Sequence, residues 1–130
     1  MHTAKDFAPI LWASIEAAGG DRDVLRRILG SKPKSDIILF HREVQRAWTN
    51  LWHEVDTAKP RLPAPWGRLS EDTLEDIFSY VVSQGAAYYD HILTSPEELR
   101  LDVTPSEVPF LGVPCEVFIQ HFGEEIDLQA

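Results

Sequence analysis

Apolar residues recur at helical spacing along most of this chain. Leu11, Trp12, Ile15 and Ala18 share one side of a helix predicted over residues 6 to 18. Pro9 fits its first turn, and Gly19-Gly20 closes it. A short second helix follows, capped by Asp21, with Val24, Leu25, Ile28 and Leu29 facing inward and Gly30 and Pro33 at its end. From Ser35, a good N-cap, to about Asp56, the stripe Ile37, Phe40, Val44, Ala47, Trp48, Leu51 and Val55 predicts a long third helix. His41 and Trp52 lie at the edge of that stripe, and His53 lies opposite it.

The pattern stops at "TAKPRLPAPWGRL", residues 57–69, where three prolines and a glycine exclude a helix. Trp66 is the expected anchor of this connection. Ser70 then caps a fourth helix. Leu74, Ile77, Phe78, Val81, Tyr88, Tyr89 and Ile92 share one face of it, with Gly85 near the centre. Asp72, Asp76, Ser79, Ser83 and Asp90 share the other face. The phase is kept across Gly85, so the spacing predicts one helix as far as Leu93, with Gly85 a notch filled by Trp12 or Trp48. A break at Gln84-Gly85 and a glycine contacting a ligand are the alternatives.

Ser95-Pro96 reads as a turn or short helix, and residues 101–113 form a second proline-rich connection, with a pair of short strands in 99–113 as an alternative. A last helix starts near Pro114 and buries Cys115, Phe118, Ile119, Phe122 and Ile126, before a frayed acidic tail at 124–130. The predicted fold class is all-α: a compact, single-domain bundle of about five helices over 1–130, with two proline-rich connections.

Composition adds limits. A chain of 130 residues buries about two-thirds of its unfolded surface and needs no staples. Its one cysteine excludes an internal disulfide framework. No run approaches the ~18 apolar residues of a membrane span, and no signal peptide is evident, so the expected location is the cytoplasm. Net charge is −9, and its placement is lopsided. Residues 1–70 hold eight acids against eleven lysines and arginines, whereas residues 71–130 hold thirteen acids against Arg100 alone. Such a chain repels phosphate, which argues against nucleic acid. It attracts a basic protein partner instead, unless the two halves neutralise each other on folding.

Four acids crowd the start of the fourth helix. The helix dipole favours Glu71 and Asp72, but Glu71/Glu75 and Asp72/Asp76 are like-charge pairs at i,i+4 and repel. Compensation is expected from the third helix or from a partner. Catalytic chemistry finds no support, since nucleophile-elbow, phosphate-loop and dinucleotide patterns are lacking. Cys115 at a helix start also belongs to an apolar stripe. No Glu-x-x-His pair or zinc-protease helix occurs, and His41, His91 and His121 are scattered, so no metal or cofactor is expected.

Over most of its length, and most strongly over 66–99, the chain resembles a bacterial family of uncharacterised proteins, domain of unknown function 4240; Leu11-Trp12 with Ile15 and the Ile37 to Phe40 segment look like that family's earlier helices. Trp66-Gly67, Ser70-Glu71-Asp72, Ser83-Gln84-Gly85 and Ser95-Pro96 carry the likeness. Thr73 and Leu74 stand where that family has glycine and phenylalanine, and its glycine-rich stretch is shortened here to Arg68-Leu69. The resemblance implies a compact, mainly helical domain and no particular activity.

The functional expectation is a small cytoplasmic interaction domain, monomeric or homodimeric. It presents Glu71, Asp72, Glu75 and Asp76 to a basic partner, and an immunity- or antitoxin-like protein is one concrete form. The alternative is a small-ligand binder or enzyme with a pocket at the 57–69 loop, built from His41, Trp52, Trp66 and Arg68.

Overall fold

Side chains at the N-cap set two of the helix starts. The Asp21 carboxylate accepts from the backbone N–H groups of Asp23 and Val24, at 2.9 and 3.2 Å, and opens α2, Arg22–Gly30. Ser70 Oγ accepts from Thr73 N at 3.2 Å and opens α4, Glu71–Ser83. A computed structural model describes residues 2–58, 69–104, 107, 108, 110, 112–124 and 126. The remaining helices are α1, Pro9–Ala18; α3, Lys34–Thr57; α5, Ala86–Thr94; and α6, Val113–Phe122. Single 3-10 turns lie at Ala4–Asp6 and Pro96–Glu98. The chain is all-helical among the described residues, with no strand in 99–113 or elsewhere, and the helices form a bundle.

Its axis is α3, 24 residues and about 36 Å long. Ile37, Phe40, Ala47, Leu51 and Val55 are fully buried along it, while Val44 and Trp48 are half-buried at the flank. Helix α3 packs against α1, α4, α5 and α6, and α6 packs also on α2. Ion pairs tie the basic first half to the acidic second: Arg22 and Arg26 reach Glu116 at 3.8 and 3.1 Å, and Lys34 pairs with Glu124. Tyr89 is the deepest polar anchor. Its buried hydroxyl donates to the Ala47 carbonyl at 2.8 Å and accepts from Asn50 Nδ2 at 2.9 Å. Burial pushes its pKa up to about 12. Edge-on contacts with Phe7 and a tilted contact with Trp12 complete its surroundings.

Several expectations need correction. The first helix starts at Pro9, not at residue 6, because a separate 3-10 turn precedes it. Pro33, not Ser35, is the N-cap of α3. Ser79 and Ser83 are buried rather than solvated. In α6 the inward residues are Val113, Pro114, Val117 and Phe118, whereas Ile119 and Phe122 are 48% and 38% exposed and Cys115 is half-buried. Gly112, at φ 78°, precedes the helix, and the apolar residues of its first turn face the core. Glu124, assigned to a frayed tail, is held by Lys34, whose ammonium also lies over the Phe118 and Phe122 rings.

The largest departure is Gly85. The continuous helix is broken there, giving six α-helices among the described residues where about five are expected. Gly85 has φ 101° and ψ 176°, a mirror-β conformation essentially confined to glycine. Its open side is not filled by tryptophan. Glu16 of α1 lies there, 3.4 Å from where a Cβ would stand. The Glu16 carboxylate accepts from Ala86 N at 3.3 Å and so caps α5 from a distant part of the chain. Replacing Gly85 with alanine is therefore expected to destabilise the protein by about 1–3 kcal/mol, read as a lower urea midpoint at unchanged slope. An uninterrupted helix would give the opposite sign, a gain of about 1 kcal/mol.

Candidate functional site

The flank of the buried α3 stripe carries a second row of residues. His41, Val44, Gln45, Trp48 and Thr49 follow at helical spacing, so they share one side of α3. That side faces a cleft of about 560 Å³. Glu75 and Ser79, four residues apart on α4, form the opposite wall. Phe110, Gly112, Pro114 and Cys115, around the start of α6, close its end. The size suits a small ligand or an inserted side chain.

Trp48 belongs to an aromatic cluster with Trp52 and Phe78, ring centroids 5.2 and 5.7 Å away. Its Nε1 donates to the Glu75 carbonyl at 3.4 Å and joins the two walls. The buried side-chain atoms without a hydrogen bond among the described residues are Ser14 Oγ and Arg26 Nε, away from this lining; Ser79 is 6% exposed and its side chain lines the cleft wall. Its neighbour Ser83 is satisfied, since its Oγ donates to the Tyr80 carbonyl at 2.7 Å. His41 lies 3.4 Å from the Gln45 amide, and burial holds its pKa below the usual imidazole value. Glu75 is the carboxylic acid of the lining.

Glu75 also belongs to the acidic run. Glu71, Glu75 and Ser79 follow at i, i+4 and i+8 and trace one line from the exposed head of α4 into the cleft. Glu71, Asp72 and Glu75 are exposed and Asp76 is half-buried. Among the described residues none of the four has a cationic partner. Other acids differ. Glu43 pairs with Arg46, Glu98 with His91, and Asp102 and Glu107 with Arg100. The Arg100 hydrogen bond holds the Asp102 carboxyl below its usual pKa.

A second cleft, about 550 Å³, lies along the other flank of α3, with Gln45 and Thr49 as the ridge between the two. Arg42, Arg46, His2 and His53 give it basic character. Arg46 has structural partners there, the buried Glu43 carboxylate and the Phe7 ring 5.3 Å away.

Of the expected pocket residues, His41 lines the first cleft. Trp52 does not, because it is turned into the Trp48–Phe78 cluster. Trp66 and Arg68 lie outside the described residues, as does the expected Trp66 anchor. Spacing placed Ser79 on a solvated face and gave Gln45, Thr49 and Phe110 no role. The signal for the first was the Glu75–Ser79 interval, and for the others the polar line 41, 45, 49 beside the apolar stripe. No three His, Cys, Asp or Glu side chains of the described residues converge as metal ligands. No described helix is long and apolar enough to cross a membrane.

His41 yields a pH prediction. Its folded pKa is depressed below 6.5, so the unfolded chain binds the proton more readily. Its contribution is complete above about pH 6.5 and is lost as pH falls toward the folded value. Urea unfolding of the wild type and of His41→Gln, compared between pH 7.5 and pH 5, should show a smaller decline for the variant. Comparison with protein-family models, with curated proteins and with solved structures finds no match to this chain.

Proposed function

We propose that this protein is a small cytoplasmic interaction module that receives a basic protein partner on the head of α4. The supporting observation is the contrast in charge pairing. Carboxylates at 43, 102, 107, 116 and 124 meet cations of the same chain, while Glu71, Asp72, Glu75 and Asp76 meet none among the described residues. Two like-charge i,i+4 pairs then have no compensating cation among the described residues, and each such repulsion costs about 0.2–0.5 kcal/mol. Docking a cationic surface removes that repulsion and gains from long-range steering. Neutralising a cationic toxin, as an immunity- or antitoxin-like protein does, is one form of this activity. The resemblance to an uncharacterised family, strongest over residues 66–99, bears on the fold and adds no activity.

The test is binding of an oligo-arginine peptide at several salt concentrations. The wild type is compared with a variant carrying Glu71→Gln, Asp72→Asn, Glu75→Gln and Asp76→Asn. A second variant, with Asp36→Asn, Asp56→Asn, Glu97→Gln and Glu98→Gln, has the same net charge. We expect the first variant to bind at least tenfold more weakly and to lose most of the salt dependence, and the second to stay within about threefold of wild type. Equal weakening in both would mean attraction to overall charge and would remove the α4 face from consideration.

A further inference from the structure

We propose that the cleft between α3, α4 and the start of α6 receives an arginine side chain of that basic partner, as the anchor of the interaction. This rests on the reading of α4 above and adds the chemistry of its central contact. Three features of the lining select the occupant.

The first is charge. Glu75 is the acidic side chain of the lining and no lysine or arginine lines it, so the cleft favours a cation and repels a carboxylate or phosphate; burial also lowers the His41 pKa. The second is the Ser79 hydroxyl. It lines the cleft and makes no hydrogen bond to another described side chain, and an N–H donor entering the cleft gives it a partner. Glu75 and Ser79 lie one helical turn apart on the same side of α4, so one planar group with several donors can serve both.

The third is the apolar remainder. Val44, Phe110 and Pro114 suit an aliphatic stem, and the Trp48 indole suits a flat, weakly hydrated cation. Guanidinium combines the fork of donors, the planarity and the stem, whereas ammonium is a compact point charge that holds its water. The acids at 71 and 72 continue outward from the cleft mouth along α4, where further basic residues of the same partner would lie.

The experiment titrates 15N-labelled full-length protein with the peptide acetyl-Gly-Arg-Gly-amide. Matched peptides carry lysine, citrulline or norleucine in place of arginine, and tryptophan fluorescence is recorded in parallel. The inference expects amide shifts centred on Gln45, Trp48, Glu75 and Ser79. Citrulline and norleucine peptides should bind at least tenfold more weakly, and lysine a few-fold more weakly. Ser79→Ala and Glu75→Gln should each weaken the arginine peptide at least threefold while their thermal midpoints stay close to wild type. Thr49→Val, on the facing wall, serves as a second probe if either α4 variant melts early.

Equal binding of the citrulline or norleucine peptide would overturn the proposal, as would shifts confined to residues 71 and 72. In both cases oligo-arginine binding that still needs the four carboxylates would leave the basic-partner reading intact. Failure of oligo-arginine and of the short peptide together would remove both.

Discussion

Burial of one apolar stripe on α3 is the constraint from which the rest of the arrangement follows. A helix of 24 residues exposes far more surface than one neighbour can cover. Ile37, Phe40, Ala47, Leu51 and Val55 leave water only because α1, α4, α5 and α6 all lean on the same element. The Tyr89 hydroxyl fixes the register of one of those neighbours, since its bond to the Ala47 carbonyl has a single satisfactory position. Covering helices cannot meet edge to edge around a cylinder, so seams remain at the flanks of the stripe. The two clefts are those seams. One falls where α4 supplies a carboxylate and a hydroxyl, the other where α3 itself supplies arginines.

Much of this was legible in the residues. Asp21 and Ser70 act as caps because each side chain reaches the amides two or three positions on, a purely local matter. The α3 stripe was legible because burial on a long helix repeats often enough to rise above noise. The break at Gly85 was hidden for a definite reason. Periodicity records which residues face inward, not whether the backbone between them continues. One residue in the mirror-β region ends α4 and starts α5 while leaving Val81, Tyr89 and Ile92 all directed into the core. In α6 the spacing places the stripe one position late, because a ten-residue helix offers too few turns to define a phase when Val113, Pro114, Val117, Phe118, Ile119 and Phe122 are all apolar.

The site was legible only in part. Four acids at the head of α4 could be counted, and the helix dipole accounts for two of them. That the run leads into a cleft depends on α3 and the α6 turn arriving opposite Glu75 and Ser79, and no local spacing contains that information. Trp52 shows the converse. Its place at the edge of the apolar stripe was correct, but contact with Phe78, ring centroids 5.4 Å apart, commits it to the aromatic cluster.

Glu16 and the first residues bear on how the chain is assembled. The cap of α5 comes from a carboxylate 70 residues earlier, and Asp90 within α5 accepts from the backbone N–H of Ala4, 86 residues earlier. During synthesis the N-terminal segment leaves the ribosome first and must wait, without these complements, until α5 emerges. Closing such wide loops is slow. In the folded chain the segment around Ala4 and Glu16 and α5 hold one another, and opening either leaves a polar group of the other without its complement.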